Sequence, residues 1–284
     1  MDEGKHMKRK SILGLMLALV AGAGVCGAVA DELAEKGRAI FRQHQKAVVT
    51  VQVVLKTRVT MQGSAGQSGE SRQDITGTVM DPSGLVVLSL TATDPSQMVQ
   101  NAAGDDSRFK IDTELSDVKI LLEDGNEIPA EVVLRDKDLD LAFARPKTPL
   151  TTPMAALDFG NSARAEVLDQ LVSINRLGNA AGRAYAANIE RVSAIVERPR
   201  LFYVPEGSMT TTTLGAPAFT TDGQVLGLFV MRSTKARSGG MAGLSSDVVA
   251  GIIVPADAVL KAAKQVPART VAKPEAAAPA EEKK

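Results

Sequence analysis

The chain has 284 residues, with 33 basic side chains balanced by 33 acidic ones, 44% hydrophobic residues and 23% charged ones. That length suits one large domain or two small ones, and the composition is that of a globular protein. Zero formal charge and no basic block argue against nucleic acid as a partner.

The N-terminus reads as a targeting segment. Lys8, Arg9 and Lys10 form a positive start, an apolar run covers about Ile12 to Val25, and Ala28-Val29-Ala30 before Asp31 suits a small-x-small cleavage site. This predicts a signal peptide over 1–30 and a periplasmic or secreted protein. Two alternatives stay open: an uncleaved anchor, and a lipid on Cys26, either of which would bring a membrane contact. Cys26 is the single cysteine, so a chain cut after Ala30 has no disulfide and relies on core burial.

Residues 31–46 predict a short amphipathic helix, with Leu33, Ile40 and Phe41 on one side. Val49, Val51, Val53 and Leu55 then alternate with Thr50, Gln52 and Val54, a strand period. Gln62–Gln73, rich in Gly and Ser, predicts a mobile loop. Gly77–Met80 and Leu85–Leu88 flank the turn Asp81-Pro82-Ser83-Gly84 and predict a hairpin. Asp94–Ser116 predicts a surface excursion. Val118–Leu122, the Asp124-Gly125 turn and Ile128–Leu134 predict a second hairpin, and Leu141–Ala144 another strand. Lys147–Pro153 reads as a linker. Strands restart at Leu171–Ile174 and Ala186–Val196, then Ala218–Phe219, the Asp222-Gly223 turn and Val225–Val230. After a Gly- and Ser-rich stretch at 233–246 come a strand at Gly251–Val254 and a helix at Ala256–Gln265. The Ala, Pro, Glu and Lys tail, 267–284, predicts disorder.

Many short strands, close-set turns and a central linker predict an all-β protein of two packed antiparallel barrels, over 47–150 and 151–266. A β-sandwich is the competitor that pattern alone leaves open. Without Trp, and with two Tyr and seven Phe, the expected core is aliphatic.

Several stretches in order resemble the trypsin-like protease domain of the HtrA/Deg family. Residues 118–135, VKILLEDGNEIPAEVVLR, are similar to the segment leading to the family's catalytic aspartate. They run into Asp136-Lys137-Asp138-Leu139-Asp140-Leu141-Ala142, like the family's D-x-x-x-D-L-A. Phe159-Gly160-Asn161-Ser162 with Leu171-Val172-Ser173-Ile174, then Val192-Ser193-Ala194-Ile195, resemble the start of the second barrel. Residues 212–218, Thr-Thr-Leu-Gly-Ala-Pro-Ala, stand where the family carries Gly-Asn-Ser-Gly-Gly-Pro-Leu. Gly215, Pro217 and Asp222–Gly227 match the frame around the nucleophile, and Gly251–Asp257 resembles the closing G-x-A-I-P-x-D. The resemblance covers roughly 36–265. It implies the chymotrypsin fold of two six-stranded barrels, and it leaves no room for a PDZ domain in the residues that follow.

The family's triad maps onto Thr91 for the base, Asp140 for the acid and Leu214 for the nucleophile, and its oxyanion hole onto Thr212 and Thr213. A serine hydrolase needs a hydroxyl nucleophile, a base and a group that orients the base. The resemblance supplies the third alone. A β-branched Thr212 is also expected to lose the glycine geometry that aims an amide at an oxyanion. Of the two histidines, His6 lies in the signal, and His44 is expected to be a solvated helix residue. Without a histidine partner, Asp140 reads better as a buried aspartate capping a turn than as a catalytic acid. Thr210–Thr213 could offer hydroxyls to a ligand, or be an extended loop. Ser89 and Ser208 lie near the expected cleft, but no lysine stands at a recognisable spacing from either. Neither a cofactor nor a metal is expected, because one histidine with no acidic cluster cannot build a zinc site.

The expected function is an exported, catalytically inactive protease homologue. Its expected partner is an unfolded or extended polypeptide, taken up by strand addition between the barrels, or a protein of the cell envelope. The alternative is an active serine endopeptidase with a displaced catalytic set. A third possibility is a structural envelope component docked through its helix or tail.

Overall fold

The computed structural model describes residues 25–61, 66–103, 109–207, 209–234 and 249–269. Most of the expected signal, most of the Gly- and Ser-rich stretch, Ser208 and nearly all of the tail lie outside these residues.

The chain forms two closed six-stranded barrels, ordered β1-β2-β3-β6-β5-β4 and β10-β11-β12-β9-β8-β7, with antiparallel pairing between all of these strands. The first contains β1 (Val48–Met61), β2 (Gln67–Val79), β3 (Val86–Ser89), β4 (Phe109–Leu121), β5 (Glu127–Asp136) and β6 (Leu141–Pro146). The second contains β7 (Gln170–Arg176), β8 (Tyr185–Val196), β9 (Phe202–Pro205), β10 (Pro217–Thr220), β11 (Val225–Ser233) and β12 (Val249–Pro255). Closure leaves no long sheet edge unpaired, which rules out the open sandwich.

Helix α1 (Val25–His44) precedes β1, and α4 (Ala256–Ala263) follows β12. Two short helices, α2 (Leu90–Thr93) and α3 (Ser96–Ala103), join β3 to β4. No helix of the described residues is long and apolar enough to cross a membrane.

Each barrel encloses an aliphatic core. Val49, Val51, Val53 and Leu55 point into the first, as their alternation predicts, while Val48 packs between the barrels. Strand β11 is buried on both faces: Leu226 and Phe229 fill the second barrel, whereas Val225, Leu228 and Val230 join the layer between barrels. This is why 225–230 reads as a continuous apolar run rather than an alternating one. Ile40 of α1 and Val259 of α4 close the same central layer, each buried aliphatic chain contributing roughly 1.5–3 kcal/mol of transfer free energy.

The structure corrects three expectations. Gln67–Gln73 is not loop but the first half of β2, paired from Val59↔Gln67 to Val53↔Gln73. Its side chains are exposed, so no apolar alternation marks it, and the partner strand supplies the order. Asp94–Ser116 is not an excursion: it contains α3 and the start of β4, which pairs with β1 from Met61↔Phe109 to Leu55↔Leu115. Phe109, Ile111 and Leu115 carry a period-two signal that the intervening charges mask. Strand β9, from a short apolar run between Arg200 and Glu206, completes the second barrel where no element was expected.

Candidate functional site

The loop from β5 brings Asp140 to the start of β6 with φ of 56°. This is the left-handed region, which aspartate tolerates better than most residues. The conformation aims the main chain and side chain at the same neighbours. Its carbonyl accepts the Leu90 amide at 2.8 Å. Its carboxylate accepts four bonds: Ser89 Oγ at 2.5 Å, Thr91 N at 2.8 Å, Thr91 Oγ1 at 2.7 Å and Met231 N at 2.9 Å. Ser89 and Thr91 belong to the first barrel and Met231 to the second, so one carboxylate ties the two together. Burial pushes the Asp140 carboxyl above the usual carboxylate range, and the hydroxyl and amide donors pull the other way. Thr91 thus stands at hydrogen-bond distance from Asp140, where the triad alignment places a base. Its hydroxyl gives its one proton to the carboxylate and has no basicity near neutral pH to activate a nucleophile.

The other end of the alignment is apolar. Leu214 is 3% exposed. Residues 211–215 form turns rather than the extended loop expected of the threonine run, and the Thr213 amide donates to the Thr210 carbonyl at 3.0 Å. Three of the four hydroxyls of the threonine run are linked through Thr210: its Oγ1 lies 2.9 Å from Thr212 Oγ1 and 2.9 Å from Thr213 Oγ1. Thr212 is not among the left-handed residues of the described chain.

The motif frame has a packing role of its own. Gly215 has φ of +86°, and a Cβ there would lie 2.2 Å from the Thr76 carbonyl oxygen, so only glycine lets this loop reach β2. The Gly215 amide donates to Phe229 O at 2.8 Å, and its carbonyl accepts Thr78 Oγ1 at 2.8 Å. Pro217 opens β10, pairing with Leu228.

A polar seam holds the loop against the first barrel. Thr76 Oγ1 donates to Thr212 O at 2.7 Å and accepts the Arg176 amide at 3.1 Å. Arg176 Nε donates to Thr50 Oγ1 at 3.3 Å, and its guanidinium lies 3.9 Å from the Tyr185 ring centre. Thr50 and Thr76 are cross-strand partners. Thr50, Thr76, Thr78 and Arg176 were missed at the sequence level. Thr50, Thr76 and Thr78 lie on the face opposite Val49, Val51, Ile75 and Val79, where alternation alone reads as a solvent face; the second barrel is what buries them.

A cleft of about 270 Å³ opens beside Asp140. Thr91, Asp140, Met98, Phe202 and Met231 help to line it, and Leu214 does not. One wall is the end of β11. The Met231 amide points to Asp140, away from the β12 partner Gly251. Within a strand a residue's N–H and C=O point to the same side and alternate along the chain, so the main-chain groups of Ser233 face the same side as those of Met231. Among the described residues no strand pairs with this side of Met231–Ser233, and the Met231 amide itself is taken by Asp140.

His44 is not solvated as expected. It is half-buried, its ring stacks on Phe219 at 4.9 Å and 17°, and Nε2 is buried without a partner among the described residues. It is not among the groups bonded to Asp140. Among the described residues no group of three or more His, Cys, Asp or Glu side chains is placed to hold a metal ion.

Among known families, the model of the trypsin-like peptidase domain matches residues 75–228, more than half of the 284. The match runs from β2 to β11 and includes Thr91, Asp140 and Leu214. No curated protein matches the chain.

Proposed function

This chain belongs to the trypsin-like peptidase domain family, and within that family we propose that it is an exported protein that holds an extended polypeptide without cutting it. The observation that carries the reading is the pairing of Thr91 with Asp140. The position of the base is filled by a hydroxyl that donates to the acid, while the position of the nucleophile is a buried leucine. Losing a triad acting as a unit costs on the order of 10⁶ in turnover. The residual of roughly 10³ that a triad-less enzyme keeps comes from its oxyanion hole and binding, and a threonine turn at 210–213 argues against the hole. The side of β11 at Met231–Ser233 that has no partner strand among the described residues, and the cleft beside it, support binding by strand addition. The basic start and apolar run of the first 30 residues support export.

The test uses purified full-length chain and reduced, carboxymethylated casein. We expect saturable binding, no cleavage, and no covalent labelling by a fluorophosphonate. Cleavage that survives repurification and is blocked by the fluorophosphonate overturns the reading, and the labelled residue then names the displaced nucleophile. Absence of binding overturns it from the other side.

A further inference from the structure

We propose that Leu90–Ala103, helices α2 and α3 of the first barrel, form a strap across the β11 edge, and that a polypeptide gains the Ser233 end of this edge only when the outer part of the strap, α3, lifts. The inference rests on the polypeptide-binding reading above and concerns how that site is regulated.

The strap is fixed at two points that bracket the edge. At the near end, Thr91 N and Oγ1 bond to Asp140 Oδ1 while Met231 N bonds to Oδ2 of the same carboxylate. Thr91 therefore lies across Asp140 from Met231, on the side of β11 that faces away from β12. At the far end, Asn101 Nδ2 donates to Ser233 Oγ at 2.8 Å, a contact between residues 132 apart in sequence. Met231 and Ser233 are two residues apart on one strand, roughly 7 Å. Between the two anchors, Gln97 and Met98 of α3 line the same cleft as Met231 and Ser233. Cα atoms of α2 and of α3 come within 8 Å of Cα atoms of β11. An added strand must approach to about 4.8 Å along the same edge, so strap and peptide compete for one space.

The anchors differ in strength, and that decides which one opens. The near end is held by bonds to a carboxylate, which are the stronger kind. The far end is one neutral side-chain bond between half-buried groups. Helix α3 has eight residues, too few to be stable without packing. Helices α2 and α3 are broken at Asp94-Pro95, and Asp94 Oδ1 accepts the Ser96 amide and hydroxyl, which fixes the start of α3 so that it moves as a unit about this break. Opening starts at Asn101 and swings about Asp94–Ser96, leaving Thr91 on Asp140.

The experiment measures binding of fluorescein-labelled, reduced and carboxymethylated casein to the full chain by anisotropy. Asn101→Ala should bind about 2- to 10-fold more tightly, the gain expected from losing one neutral hydrogen bond that holds the closed form. Its amides at 96–103 should exchange with deuterium faster than in the natural chain, with no casein present. Asn101→Cys combined with Ser233→Cys, in a Cys26→Ser background, should bind at least ~10-fold more weakly when oxidised, with binding restored by dithiothreitol. Equal binding by the oxidised and reduced pair overturns the strap and leaves polypeptide binding standing. Unchanged exchange at 96–103 in Asn101→Ala overturns the strap as well. No binding by the natural chain, by Asn101→Ala or by the reduced pair overturns the polypeptide reading itself, and the strap with it.

Discussion

The Asp140 end and the Leu214 end of the inter-barrel seam keep their shape by opposite means. At the first, a buried carboxylate gathers hydroxyl and amide donors from both barrels. At the second, a leucine side chain joins the interior and a glycine lets two backbones touch. The Thr212 and Gly215 carbonyls on either side of Leu214 are capped by the hydroxyls of Thr76 and Thr78. The difference teaches that the frame of a protease site has structural work apart from catalysis. Asp140 satisfies the Thr91 and Met231 amides, and Gly215 lets the 211–215 loop reach β2. A family match carried by such residues speaks for the fold more than for the reaction.

The sharpest break is at the Leu214 end. Gly215→Ala adds a Cβ 2.2 Å from the Thr76 carbonyl oxygen in a left-handed backbone, so neither the loop nor β2 can yield cheaply. We expect a loss of about 4 kcal/mol or no folded protein, measured by urea denaturation. Gly223→Ala is the control. It has φ of +81°, but the nearest atom to its Cβ is Ile40 Cγ1 at 3.6 Å, an ordinary contact. It should cost only the left-handed strain, about 1 kcal/mol. Equal losses at the two glycines would mean that conformation, not the approach of the barrels, is what Gly215 provides.

A smaller loss is expected at the Asp140 end. Asp140→Asn keeps size and tolerates the same φ, but it turns an amide NH₂ toward donors that need an acceptor. We expect a loss of about 2–3 kcal/mol, the cost of leaving buried donors unmet. A change below ~0.5 kcal/mol, the range of an ordinary surface substitution, would mean that the carboxylate does not tie the barrels and that the contrast between the ends is wrong.

The parts of this fold that were legible in the sequence were those with their own period or turn chemistry. Val49–Leu55 alternates because one face of β1 fills a barrel, and Asp124-Gly125 marks its hairpin because a glycine supplies φ of +86°. The first half of β2 was not legible, because its exposed Gly, Ser and Glu side chains leave no pattern and its order comes from β1. At the site, Asp140, Gly215 and Pro217 were legible through their motifs, and the positions of Thr91 and Leu214 through spacing. The partners of Asp140 were not: Met231 contributes a main-chain amide, and any residue has one. His44 was misread for a related reason. Its helix looked solvated, but Phe219, 175 positions away in the chain, covers its ring.

That histidine gives the smallest and most conditional effect, a dependence on pH. Helix α1 docks through Ile40, which is buried, through Phe41, edge-on to Tyr185 at 6.2 Å, and through His44 on Phe219. Burial holds the His44 pKa below its ordinary 6.5. The unfolded chain therefore takes up a proton near 6.5 that the folded chain refuses until the pH is lower. Stability from this group is complete above 6.5 and is lost as pH falls from there through the folded pKa. His44→Phe keeps a ring against Phe219 and removes the titration. The difference in Tm between the variant and the natural chain should be constant above pH 7 and should move in the variant's favour as pH falls from about 6.5. Carboxylates titrate in both proteins and cancel in that difference. Parallel profiles down to pH 5 would mean that the His44 ring reaches water as readily in the folded chain as in the unfolded one, and that α1 is held by Ile40 and Phe41 alone.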